Sequence, residues 1–151
     1  MHSVCDQCVG QEFIQAHMRR NNPYGEICDY CFSENLPTIE VSELAEMFGT
    51  ILEELFEITS LKDGVGVNGR IPPGVALPDL YANLLNAERS VESVLVEHLL
   101  CQFSLNWDWD PDWDVDDDLN PEKIWYSWRD GVIPGAGGIW ELIEQKLPRL
   151  L

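Results

Sequence analysis

A mainly α-helical fold with a small cysteine-knuckle module at its N-terminus is predicted by three features of the sequence. Two Cys-x-x-Cys pairs, Cys5/Cys8 and Cys28/Cys31, lie within the first 31 residues. From Val41 the apolar residues recur at helical spacing for four turns. Two shorter stripes come after it, each behind a residue type that favours helix starts. The expected architecture is a cysteine-knuckle module over residues 1–36, packed on an irregular acidic helical domain over 37–151 as one unit.

The two pairs are separated by 19 residues, the spacing of a two-knuckle metal site. Each pair lets two sulfurs reach one ion, and the second completes a tetrahedron of soft ligands that suits zinc. Cys5, Cys8, Cys28 and Cys31 are therefore the expected ligands of one Zn2+. Four thiolates leave no open position for water, so the ion is expected to be structural. Unliganded reduced cysteines are the plainer alternative. A redox pair is disfavoured because no βαβ pattern surrounds either motif.

Between the knuckles, Phe13, Ile14 and Met18 are spaced to dock a short helix over residues 11–21. His17 lies on it, but the ligand set is complete without it. Arg19 and Arg20 read as a solvated helix end near the negative pole of the dipole. Asn21-Asn22-Pro23-Tyr24-Gly25 turns the chain back to the second knuckle, and Leu36-Pro37-Thr38 separates the module from the helical part.

The long stripe comprises Val41, Leu44, Ala45, Phe48, Ile51, Leu52, Leu55 and Phe56, with Ser42 as expected cap. The glutamates flanking it read as a solvated helix face. Residues 62–76 are rich in Gly, Val and Pro and read as a linker or short hairpin. Gly64 to Gly69 lack the strand and helix of a phosphate-binding loop. Asp79 is the expected cap of a second helix bearing Leu80, Leu84 and Leu85. Ser90 is the expected cap of a third, with Val91, Val94, Leu95, Leu99 and Phe103 inward. His98 and Cys101 fall on neighbouring turns of that helix, where a cysteine on an apolar face is expected to be buried and inert. Eight residues lie between Arg89 and His98, too many for the R-x4–6-H motif of HEPN ribonucleases. No Ser-His-Asp order or HExxH motif is present, and the chain is read as non-enzymatic.

Charge narrows the partners. The 151 residues carry 27 acidic and nine basic side chains, a net charge of −18. Binding to nucleic acid through its phosphates needs a basic face, and anionic lipid is disfavoured for the same reason. No apolar run approaches the ~18 residues of a membrane span. The first residues lack the pattern of a signal peptide, so a cytoplasmic location is expected. Residues 107–118 hold seven aspartates and three tryptophans. Asp110, Asp112 and Asp114 resemble the start of an EF-hand loop, but its central Gly and closing Glu are missing. Trp107, Asp108, Trp109, Asp110, Asp112, Trp113, Asp114, Asp116, Asp117 and Asp118 are the candidate partner-binding residues. Tryptophans docked on a core beneath wet aspartates are the plainer reading. Trp125, Trp128, Trp140, Leu142, Ile143 and Leu147 make the C-terminal part apolar, with a glycine-rich break over 131–138 before a last short helix.

The order of these features resembles the HEPN/RES N-terminal domain, a family found in bacterial conflict systems ahead of a RES toxin domain. The matching residues are Cys5-x-x-Cys8, the short helix, and Gly25-Glu26-Ile27-Cys28-Asp29-Tyr30-Cys31. They continue with Leu44 and Phe48, the acidic Trp107–Pro111 stretch, and Trp140-x-x-Ile143 leading to Lys146 and Arg149. Ile143 and Leu150 stand where the family carries aromatics. The resemblance implies a helical domain with a zinc-binding start and a toxin partner that degrades NAD, in cis or in trans. That activity belongs to the RES domain, so no catalytic residue is carried over. The alternative expectation is a standalone acidic inhibitor, an immunity protein or nucleic-acid mimic, that blocks a basic toxin or nuclease.

Overall fold

The computed structural model describes residues 2–60, 74–106, 124–129 and 138–150. Five α-helices and five short strands lie within them, and no helix there is long and apolar enough to cross a membrane. The mainly helical expectation holds. The Asp/Trp run at 107–118, the glycine-rich residues 62–73 and most of the 131–138 break lie outside the described residues.

Strand β1 (Ser3–Cys5) pairs antiparallel with β2 (Thr38–Glu40), in the register Ser3–Glu40, Val4–Ile39 and Cys5–Thr38. A boundary at residue 36 therefore falls just before a strand that belongs to the knuckle module's own sheet. Helix α1 (Glu12–Asn21) connects the two strands, buries Ile14 and Met18, and is capped by Gln11, whose side chain accepts from the Phe13 N–H.

Helix α2 (Val41–Leu55) follows β2 without a break, and the whole predicted stripe is buried along with Met47. Its start corrects the sequence reading. Ser42 is already inside the helix, and the Glu40 side chain makes no capping bond. Instead the Val41 N–H donates to the carbonyl of His2, the residue before β1, which takes up a donor that helix geometry leaves open. Helix α3 (Leu77–Leu85) repeats the device. Asp79 lies in its first turn rather than at the cap, and the Leu77 N–H donates to the Ile124 carbonyl. In α4 (Arg89–Asn106) the expected cap is again displaced: Glu88 accepts from both the backbone N–H and the hydroxyl of Ser90. Val94, expected inside, is exposed, while Val96 and Leu100 are buried in its place.

A second sheet joins β3 (Phe56–Ser60), β4 (Val75–Ala76) and β5 (Trp125–Trp128), with β5 in the middle. Phe56 stands opposite Trp128, and their rings stack 4.4 Å apart. Such cross-strand pairs are the unit of sheet stabilisation. Beyond this pair, Arg129 donates through its guanidinium to the carbonyls of Glu53 and Phe56. A cation there satisfies open carbonyls and complements the helix dipole at the end of α2.

Helix α5 (Gly138–Lys146) closes the core. Trp140 is buried, stacks on Phe13 with ring centres 5.8 Å apart, and donates from its indole N–H to the Leu84 carbonyl. One side chain thus joins α1, α3 and α5. Arg149, in the 3-10 turn after α5, reaches Glu54 at 3.6 Å.

Trp140→Ala is expected to cost about 3–5 kcal/mol of unfolding free energy. Trp140→Phe, which forfeits mainly the indole hydrogen bond, should cost only about 1–2 kcal/mol. Urea denaturation of both variants checks this, and equal losses would contradict the bridging role.

Candidate metal centre

The first knuckle closes as a turn in which the N–H groups of Cys8 and Val9 both approach the Cys5 carbonyl, at 3.2 and 3.4 Å. Gln15 reaches from α1 to donate to the carbonyls of Asp6 and Val9, at 2.8 and 2.9 Å. Arg19 pairs with the Asp6 carboxylate at 3.4 Å, so it braces the knuckle from the side. The other Asp6 oxygen, Oδ1, is buried without a partner.

The second knuckle sits at the tip of a narrow hairpin. The Gly25 N–H donates to the Leu36 carbonyl and the Cys28 N–H to the Ser33 carbonyl, at 3.0 and 3.1 Å. Gly25 is required there, because a Cβ would collide with the buried Thr38 side chain. The Phe32 N–H then closes the knuckle on the Cys28 carbonyl at 2.8 Å, which places Phe32 at φ 63°. This left-handed conformation is normally left to glycine, and a bulky residue adopts it only against steric strain. Two bonds fasten this hairpin to β1: Asp29 N–H to the Ser3 carbonyl at 2.9 Å, and Ser3 N–H to the Asp29 carboxylate at 2.6 Å.

The two knuckles meet sulfur to sulfur. Cys5 Sγ lies 3.5 Å from Cys31 Sγ, Cys8 Sγ lies 3.8 Å from Cys28 Sγ, and all four fall within 4.8 Å of one another. A tetrahedron with Zn–S arms of about 2.3 Å has edges of about 3.8 Å, so the cluster matches the size of a tetrathiolate site. All four predicted ligands are brought together, and among the described residues they are the one group so placed. Cys5, Cys8 and Cys28 are buried and Cys31 is exposed; none is in a disulfide. Burial pushes the Cys5 thiol up to about 11 and raises Cys8 further. At Cys31 a smaller desolvation is outweighed by hydrogen bonds from Ser33 and the neighbouring thiols, and the thiol falls to about 6. Buried thiols with raised pKa values ionise when a metal supplies the positive charge that stabilises the thiolate.

The module is docked through its backbone. The Cys8 carbonyl accepts from the Glu88 N–H and the Gly10 N–H donates to the Asn86 carbonyl, in the turn between α3 and α4. Tyr30, between the second pair of cysteines, reaches α4, where its hydroxyl lies 2.7 Å from His98 Nδ1. Burial holds the phenol protonated, so it donates to the neutral imidazole. His98 also stacks on His2, ring centres 4.1 Å apart, and its pKa is lowered by burial and by that neighbour. His98 therefore belongs to the module's docking surface. Cys101, expected on a buried face, is exposed instead. His17 pairs with Glu43 at 3.2 Å and stays outside the sulfur cluster. Sequence reasoning missed Gln15, Tyr30 and Thr38, whose types carry no metal signal; position beside a knuckle was the one available cue.

Comparison with family models, curated proteins and solved structures gives no match.

Phe32→Gly should raise the unfolding free energy by roughly 0.5–1 kcal/mol, since glycine takes the left-handed conformation without strain but loses more entropy on folding. Phe32→Ala keeps the strain and should give no gain. Chemical denaturation at fixed metal content compares the two, and a stabilised Ala variant would refute the assignment of strain.

Proposed function

We propose that this chain is a non-catalytic, zinc-stabilised interaction and regulatory domain of a bacterial toxin–antitoxin or anti-phage conflict system, acting with a RES-type toxin that degrades NAD. The observation that carries this reading is the closed four-sulfur cluster. Its size fits Zn2+, four thiolates would leave no coordination position for substrate, and it joins the two knuckles of a module whose backbone docks on the helical body. Such a site serves folding and surface presentation rather than chemistry. Of the residues that carry the family resemblance, the four cysteines form this cluster, Tyr30 reaches α4 and Trp140 is buried in the core.

The net charge of −18 favours a second reading, a standalone acidic inhibitor of a basic toxin or nuclease. Opposite charge would steer such a partner to it, with a steep dependence on salt. The Asp/Trp run would be its contact surface in that case.

Metal analysis of the purified chain should give about one zinc per molecule, and a strong chelator should lower the unfolding midpoint sharply. A metal-free protein of unchanged stability would rule the zinc site out. For the toxin, the chain is co-expressed with a RES domain, joined to it or separate, and cellular NAD is measured alongside co-purification. A stable complex with altered NAD loss supports the first reading. No complex and unchanged NAD loss would refute it.

A further inference from the structure

Among the described residues, four large apolar side chains are exposed, and three of them lie within nine positions on the hairpin of the second knuckle. Tyr24 is 84%, Ile27 53% and Phe32 75% exposed. Singly exposed apolar residues need no explanation, but a local concentration does. Phe32 adds an independent reason. It occupies a left-handed backbone position suited to glycine, so the chain bears strain and an exposed ring at one position. Strain retained at an exposed aromatic points to a use for that ring.

The surroundings give the sign of the partner. Glu26, Asp29 and Glu34 lie on the same hairpin, and no Lys or Arg occurs from Asn21 to Leu61. Four thiolates around a divalent ion would add about two further negative charges at the tip of the hairpin. We infer that Tyr24, Ile27 and Phe32 form a docking surface for a basic protein segment bearing apolar side chains. The apolar residues fill the contact and the carboxylates around them select cationic partners. A second copy of this chain brings another −18 against the same carboxylates. The chain's own 107–118 run brings seven aspartates. Both are disfavoured by like charge.

This inference deepens the interaction-domain reading and rests on it, naming the surface and the chemistry of the partner. Its test uses no toxin, so the two can fail separately. The full chain, purified with its metal, is panned against a displayed peptide library randomised over Lys, Arg, Asp, Glu, Ser, Leu, Phe and Trp. Enriched peptides should be cationic and apolar, and their binding should weaken as salt is raised. Tyr24→Ser/Ile27→Ser/Phe32→Ser should lose about tenfold or more in affinity, as expected where a few apolar anchors dominate an interface. Phe32→Gly alone, which relieves the backbone, should also weaken binding while the protein remains folded by circular dichroism. Enrichment of neutral or acidic peptides would overturn the proposal. So would undiminished binding by the triple variant. Concentration-dependent dimerisation of the wild-type chain, abolished in the triple variant, would overturn it too, by assigning the surface to a second copy.

Discussion

The junction of four sulfurs is the constraint on which the N-terminal quarter depends. The two segments that carry them have little apolar surface of their own. Over residues 5–9 and 28–31 only Cys5, Cys8, Val9 and Cys28 are buried, joined by Ile14 and Met18 from the connecting helix. Below about 40 residues a chain rarely builds a sufficient core without a staple. A metal ion at this cluster would supply on the order of 10 kcal/mol, comparable to the whole stability of a small domain. Each knuckle is also held by hydrogen bonds of its own: Gln15 on the first, Ser3 and Asp29 on the second.

The same junction transmits order to the rest of the molecule. β1 lies between the second knuckle and β2, and the His2 carbonyl starts α2. The Cys8 carbonyl holds the turn that starts α4, and Tyr30 hydrogen-bonds to His98 on that helix. Loss of sulfur convergence would therefore release the starts of two long helices, not the module alone. Elsewhere the Trp140 indole and the Arg129 guanidinium secure α5 and the end of α2 by bonds to backbone carbonyls.

The parts legible in the sequence are those set by local periodicity or by ligand chemistry. The stripe of α2 needs no knowledge of its neighbours, because one helix face is one pattern. The four cysteines announce themselves because few arrangements other than a metal site explain two such pairs. The helix caps were not legible. Ser42 and Asp79 are sound capping residues, but β2 and β4 run straight into α2 and α3. The orphan N–H groups then meet carbonyls of residues that immediately precede strands distant in sequence, Val41 with His2 and Leu77 with Ile124. Strands of two to five residues show too few alternations to be recognised, and Trp125–Trp128 read as generic apolar sequence until its partners 56–60 and 75–76 are known. Val94 and Cys101 misled for a related reason: α4 is apolar on more than one side, so spacing alone does not say which side faces the core.

The acidity has two structural expressions with different consequences. On α2, Glu43, Glu46, Glu53 and Glu54 line the outer face of a helix whose other side is buried, where they keep the helix wet. On the second knuckle, Glu26, Asp29 and Glu34 accompany exposed Tyr24, Ile27 and Phe32. Charge alone on a surface repels indiscriminately, and apolar area alone attracts indiscriminately. Together on one hairpin they would discriminate, since only a partner that neutralises the carboxylates could bring its apolar groups into contact. Rigidity is the third requirement, because a floppy hairpin would lose the contact energy in ordering itself. Convergence of four sulfurs at the hairpin's tip would meet it, and a cluster able to hold a metal ion would then serve recognition as well as folding.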